Sequence, residues 1–387
     1  MNLLFVFGTR PEAIKLAPLI RELSAQADFT CKICVTGQHR EMLAQVLDLF
    51  EIRPHWNLDV MRPNQSLAYA TAAILSGVST VLDEFRPDRV IVQGDTTSTL
   101  AGALAALYHR IPVAHVEAGL RTGNLYAPWP EEANRKLAGH LADLHFAPTE
   151  RARRNLLQEG IPAESILVTG NTGIDALLWV LQRIDGDPDL ACRIDRSLGS
   201  HLAGKRLILV TGHRRESFDG GLARMFRAVA RIARRPDVAV IFPMHLNPSV
   251  RRAAEPLRQR HNVRLVEPVD YPELALLLKR CRFVVTDSGG IQEEAPSLGK
   301  PVLVTRERTE RPEAVEAGSA LVVGTDERRL YEAMERLLDD EALYLRMSRV
   351  RNPYGDGLAS RRIAARLGAA VAPPPLGIRE DAARPTP

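Results

Sequence analysis

What most constrains this chain is a repeated alternation. A short aliphatic and β-branched run is followed by a turn of small or polar residues, then by a stretch of helical period. Leu3 to Phe7 ends in Gly8-Thr9. Pro11 then opens a stretch carrying Ile14, Ala17, Leu19, Ile20 and Leu23, with Pro where a helix start tolerates it. Thr30 to Thr36 repeats the strand signal and Arg40 to Phe50 the helical one. Arg89 to Val92 ends in Gln93-Gly94-Asp95 and leads into a small-residue helix from Thr97 to Tyr108. Pro112 to Val116 ends in Glu117-Ala118-Gly119. Strands that are apolar on both sides belong in parallel sheets covered by helices on both faces.

The rhythm restarts near residue 170. Asn171 to Ile184 predicts a helix, and Asp185-Gly186-Asp187-Pro188 breaks it. Strand signals follow at Arg206 to Val210, Val238 to Phe242, Val263 to Val266, Phe283 to Val285 and Val302 to Thr305. The chain has 387 residues, and at about 150 residues per domain two such units fit. The expected fold class is therefore α/β, with two doubly wound Rossmann-like domains facing a central cleft. The first covers 1–170 and the second 171–357. A helix at about 358–371 is expected to pack back on the first domain, and the Pro-rich tail at 372–387 reads as disordered. Ligands of such sheets bind beyond the C-terminal strand ends, which places the expected site in the cleft.

Composition removes several classes. Lys+Arg number 51 against 47 Asp+Glu, a net charge of +4, which is no basic footprint for nucleic acid. No apolar run reaches the roughly 18 residues of a membrane span. Met1 to Phe7 is too short for a signal peptide and runs straight into Arg10 and Glu12. A cytoplasmic protein is expected. Four Cys make no disulfide framework. Cys31 and Cys34 form a C-x-x-C, but in a strand residues three apart face opposite sides. With no second Cys pair and no H-E-x-x-H, no metal or cofactor is expected. A G-x-S-x-G elbow is also lacking.

Three segments carry candidate chemistry. Thr286-Asp-Ser-Gly-Gly-Ile-Gln-Glu-Glu sits between a strand and a helix. It reads either as an ordinary capped turn or as a diphosphate cradle. In the second case Ser288, Gly289 and Gly290 would offer backbone N–H groups, and Glu294 one turn on would accept from ribose hydroxyls. Gly8-Thr-Arg-Pro-Glu is a second strand-end turn. Its Arg10 could reach a phosphate, and Lys15 lies five residues along the helix; a capped helix with exposed charges is the other reading. Asp95, Glu117, Glu131 and His213 form the third group. Converging carboxylates in a low-dielectric cleft drive at least one pKa up, as acid–base chemistry requires. The alternative is separate caps and surface ion pairs. His39 and His245 follow strand ends and fit a structural role as well as a ligand role.

These segments occur in a fixed order with Gly37-Gln-His-Arg-Glu-Met-Leu, His115-Val-Glu-Ala-Gly-Leu-Arg, Pro130-Glu-Glu-Ala-Asn-Arg and Thr211-Gly-His-Arg-Arg-Glu-Ser. Together they resemble the bacterial non-hydrolysing UDP-N-acetylglucosamine 2-epimerases, from about residue 3 to 365. The resemblance implies a GT-B-type fold, usually as a homodimer. It also implies reversible conversion of UDP-N-acetylglucosamine to UDP-N-acetylmannosamine for cell-surface polysaccharide. The implied path is UDP elimination to 2-acetamidoglucal and re-addition. Asp95, Glu117, Glu131 and His213 match the family's catalytic set. Arg10, Lys15, Ser288, Gly289, Gly290, Glu294 and Arg311 match its UDP-binding positions. Gln38, His39 and His245 resemble a site for a second, activating UDP-N-acetylglucosamine. In one departure, Val269 and Leu274 stand where relatives often carry a Gln and an aromatic beside uracil, so uracil is expected to rest on backbone groups and aliphatic packing. The same motifs would serve a 2-epimerase of a modified UDP-sugar, and the same cleft a GT-B glycosyltransferase.

Overall fold

The computed structural model describes residues 1–37, 40–60, 62, 65–198, 204–212, 220–245, 247–307 and 309–369. The expected tail, 372–387, lies outside them, as do Gln38, His39 and His213.

Two all-parallel sheets organise these residues. The first contains β1 (Asn2–Phe7), β2 (Thr30–Val35), β3 (Trp56–Asn57), β4 (Arg89–Gln93), β5 (Val113–Val116), β6 (Leu144–Ala147) and β7 (Ile166–Val168), in the order β3-β2-β1-β4-β5-β6-β7. The second contains β8 (Arg206–Thr211), β9 (Val238–Pro243), β10 (Val263–Val266), β11 (Phe283–Thr286), β12 (Val302–Val304) and β13 (Ala320–Val322), in the order β10-β9-β8-β11-β12-β13. Each order reverses once, between β1 and β4 and between β8 and β11. A crevice opens at such a reversal because successive crossover helices leave for opposite faces. The expected doubly wound architecture is present. The structure adds to the expected elements the strands β3, β6, β7 and β13, which have two to four residues each, and the helix Leu67–Phe85.

The central strands of each sheet are buried on both sides. Leu3, Phe5 and Phe7 join one apolar cluster while Leu4 and Val6 join another. In the second sheet Leu207 and Leu209 face the first of these clusters, and Ile208 and Val210 face a third. One face of each sheet thus shares a single continuous core, through Leu177, Val180 and Leu181 of the helix Thr172–Gly186. Small residues bring helix to sheet: a Cβ on Gly102 would lie 3.1 Å from Val6 Cγ1.

The chain passes between the sheets twice, and the two passages touch. A Cβ on Gly170 (φ +88) would sit 3.2 Å from Gly355 Cα, and Gly355 itself has φ +131. Asn171 N–H donates to the Tyr354 carbonyl at 2.7 Å. Past this point the helix Ala359–Ala369 packs on the helices Arg10–Ser24 and Thr172–Gly186. Its first amides, of Ala359 and Ser360, donate to the Asp175 carboxylate at 3.2 and 2.7 Å.

Candidate active site

The β1 turn is built around Glu12. This buried carboxylate accepts from the Gly8 and Thr9 amides at 3.0 and 2.8 Å, and from the Thr96 hydroxyl at 2.7 Å. It caps its own helix and ties the β1 and β4 turns together across the crevice. Burial raises its pKa, and the Thr96 and backbone hydrogen bonds oppose the rise. With the turn fixed, Arg10 and Lys15 project from the helix Arg10–Ser24 into a cavity of about 460 Å³.

The opposite wall comes from the second sheet. Thr211 ends β8 and Gly212 follows it, Met244 and His245 follow β9, and Ser288, Gly290, Ile291 and Glu294 follow β11. The β8 and β11 ends are joined by Thr211 and Thr286, whose hydroxyls lie 2.6 Å apart. Ser288 N–H donates to Thr286 Oγ1 at 3.0 Å. A Cβ on Gly290 would meet nothing within 4 Å, whereas one on Gly289 would sit 3.2 Å from Glu310 Oε1. Pro243, Met244, Pro268, Val269 and Leu274 make one side of the cavity apolar. Tyr271 lines it too, donating its hydroxyl to Glu294 Oε1 at 3.1 Å. Burial pushes the Glu294 carboxyl up to about 7. His245 lines this same cavity.

A carboxylate cluster adjoins the cavity at Lys15. Glu117, at the β5 end, adopts a left-handed backbone (φ +61). Its Oε2 lies 2.5 Å from Lys15 Nζ and accepts from Gln93 Nε2 at 2.5 Å, and its Oε1 is 3.9 Å from Arg311. Burial alone would raise this carboxyl, but Lys15 and then Arg311 outweigh it and hold Glu117 below the usual range. Asp95, at the β4 end, shifts the opposite way. Burial raises it, the Arg135 guanidinium opposes, and the charge of Glu117 adds to the rise. Beneath them His115 Nε2 lies 2.7 Å from the Gly94 carbonyl. Burial lowers this imidazole to about 3, so it is neutral and donates that bond.

Glu131 opens the helix Glu131–Leu141, and its Oε2 is buried with no hydrogen-bond partner among the described residues. From the same helix Asn134 donates to the Asp95 carbonyl at 3.0 Å, and Arg135 bridges Asp95 and Glu132. Glu132 accepts from the Thr122 and Gly123 amides at 3.1 Å and so fixes the loop before the helix. On the far side Arg311 pairs with Glu293, which also accepts from Asn171 at 2.7 Å.

The structure thus gathers Arg10, Lys15, Ser288, Gly290, Glu294 and His245 around one cavity, and Asp95, Glu117 and Arg311 in the cluster beside it. Sequence reasoning missed Glu12, Gln93, Arg135 and Glu293. Glu293 adjoins Glu294, but neighbouring helical residues point about 100° apart, so one faces Arg311 and the other the cavity. Cys31 and Cys34 are free thiols, and no metal-binding cluster of His, Cys, Asp and Glu occurs among the described residues.

Known proteins resemble this chain along nearly its whole length. The family model described as UDP-N-acetylglucosamine 2-epimerase matches residues 21–368. The UDP-N-acetylglucosamine 2-epimerase of Yersinia pestis is 56% identical over 368 residues, 94% of this chain and 97% of that protein. The Escherichia coli K12 enzyme of the same name is 54% identical over 365 residues, again 94% and 97%. The crystal structure of the Neisseria meningitidis UDP-GlcNAc 2-epimerase bound to UDP-GlcNAc superposes with a TM-score of 0.89 at 47% identity, covering 95% of this chain and 100% of that one. The Methanocaldococcus jannaschii enzyme in complex with UDP-GlcNAc and UDP gives 0.81 at 35% identity, with coverage of 95% and 100%. The fold is GT-B-like, as theirs is, and the chain belongs to the UDP-N-acetylglucosamine 2-epimerase family.

Proposed function

We infer that this protein is an isomerase that inverts C2 of UDP-N-acetylglucosamine to give UDP-N-acetylmannosamine, reversibly and without a cofactor. The observation that carries the reading is the adjacency of two environments. A cavity walled by Arg10, Lys15, Ser288 and Gly290 adjoins a carboxylate pair whose pKa values are driven apart. Loss of a C2 proton needs a base; departure of the diphosphate from C1 needs cations. In the elimination the C2–H and C1–O bonds break, the C1=C2 bond of 2-acetamidoglucal forms, and UDP keeps the C1–O electron pair. Return of the proton on the other face and re-addition of UDP complete the inversion.

Asp95, Glu117, Glu131 and His213 are assigned to the proton transfers. Arg10, Lys15, Ser288, Gly289, Gly290 and Arg311 are assigned to the diphosphate. Glu294 takes the ribose, and the wall of Val269 and Leu274 takes the uracil. The opposite shifts of Asp95 and Glu117 support a division into a proton donor and a proton acceptor. The two halves are assigned as domains, 1–170 and 171–357. The protein is read as a cytoplasmic homodimer; among the described residues no helix is long and apolar enough to cross a membrane. His245, with Gln38 and His39, is assigned to a second UDP-N-acetylglucosamine. Because His245 also lines the main cavity, the two ligands would lie close together.

Proton NMR in deuterated water tests the reaction. Deuterium is expected at C2 of both epimers as they interconvert, with no free sugar. Release of UDP without C2 exchange would instead mark a glycosyltransferase or a hydrolase.

A further inference from the structure

One cation belongs to both environments. Lys15 Nζ is 2.5 Å from Glu117 Oε2, yet the same side chain forms part of the cavity wall. Its stem runs past Gly173, where an added Cβ would sit 3.7 Å from Lys15 Cγ. The ammonium end is the part placed to exchange partners. The carboxylates around it already outnumber the cations that pair with them. Lys15 and Arg311 face Glu117 and Glu293, while Arg135 faces Asp95 and Glu132. A diphosphate arriving beside Arg10 and Lys15 adds negative charge to this buried set, in which three cations already face four carboxylates. Unpaired charge in such surroundings is expensive, so Lys15 cannot stay fully committed to Glu117.

Building on the reading of the cavity as a UDP site, we propose that Lys15 is an exchange residue: the incoming diphosphate draws its ammonium away from Glu117 and thereby frees that carboxylate to accept a proton. No covalent bond changes in this step; one ionic contact is traded for another. Without nucleotide, Glu117 is neutralised by Lys15 and is a poor base. With nucleotide it keeps Gln93 and the more distant Arg311, and its basicity rises. Breaking C1–O then places further negative charge on the departing diphosphate. That reinforces the exchange as the C2 proton is being taken. The base is thus armed only when a leaving group is in place.

Calorimetric titration of UDP into the full-length protein tests this competition for one lysine. Glu117→Gln is expected to bind UDP at least about threefold more tightly than wild type, because its Lys15 is already free. Lys15→Met is expected to bind more weakly. In a Lys15→Met background, Glu117→Gln is expected to bring no gain. Glu117→Asp keeps the charge but draws it back from Lys15, and is expected to show part of the tightening. It serves as the readout should the Gln variant fail to fold. Unchanged or weaker binding by these Glu117 variants overturns the exchange. So does a gain that persists without Lys15, since that would mean direct repulsion between Glu117 and the phosphates. If wild type binds UDP and exchanges C2 deuterium while the cycle shows no coupling, only the exchange fails. If wild type does neither, the epimerase reading fails and the exchange with it.

Discussion

Of the carboxylates proposed for proton transfer, Asp95 and Glu131 are the two whose removal is expected to separate chemistry from binding most cleanly. Neither lies on the cavity wall, whereas Arg10, Lys15 and Glu294 do. Asp95→Asn and Glu131→Gln should each lower kcat by about 10²–10⁴-fold, the usual worth of a general acid or base. UDP affinity should stay within a few-fold of wild type. Initial-rate kinetics and UDP titration check both parts, and undiminished turnover in either variant would remove that residue from the site. Glu294 predicts a pH effect on stability. Its folded value of about 7 lies above the ordinary 4.5, so the native state retains a proton that the unfolded chain has released. Stability from this group is full at low pH and falls as pH rises from 4.5 toward 7. Relative to wild type, Glu294→Gln should therefore gain about 1–3 kcal/mol between pH 5 and pH 8 in nucleotide-free melts. A constant difference across that range would show that the carboxyl is not shifted.

At the scale of elements, the turns after the strands are the sensitive parts. Gly119 closes the turn that presents Glu117. It has φ +90, and an added Cβ would lie 2.3 Å from the Ala152 carbonyl oxygen. That contact is with backbone and cannot be relieved by a rotamer change. Gly119→Ala is expected to destabilise by about 3 kcal/mol or more, seen as a clear fall in the thermal midpoint. Elements of this kind were unevenly legible in the sequence. β1, β4 and β8 announced themselves through unbroken apolar runs, and β5, with His115 inside it, through the Glu-Ala-Gly turn that follows. β6, four residues with His145 inside, and β7 and β13, three residues each, offer too short an apolar run. The candidate site was legible where chemistry and motif coincide, as at Asp95, Glu117 and Ser288–Gly290. It was illegible where a residue's role lies in a distant partner. Arg135 meets Asp95 across 40 positions of sequence and Asn171 meets Glu293 across 122. Only folding brings such pairs together.

For the whole molecule, the shared core has a thermodynamic consequence. Leu3, Phe5 and Phe7 of the first sheet and Leu207 and Leu209 of the second belong to one apolar cluster with the helix Thr172–Gly186. Polar contacts add to the joint: Thr149 donates to Glu313 at 2.8 Å, and Arg151 pairs with Glu316. Unfolding one half alone would leave a large apolar face of the other in water. Scanning calorimetry should show a single cooperative transition, and two resolved transitions would contradict a common core. Saturating UDP, at about 100 times its Kd, should stabilise the native state by about 2.7 kcal/mol.

The meeting of the two chain passages at Gly170 and Gly355 says how such a molecule can move. Two connections set far apart would act as a strap and resist any twist between the halves. Here both run through one point, pinned by the Asn171 amide on the Tyr354 carbonyl and flanked by backbone that only glycine adopts comfortably. A joint of that kind would act as a pivot, favouring rotation of the halves over their separation. On the proposed function, the mouth of the cleft would then widen for a nucleotide while the floor, where Asn171 donates to Glu293, keeps its registration. A side chain at either glycine would stiffen the pivot, and its mark would be slower exchange of nucleotide with little change in the bound arrangement.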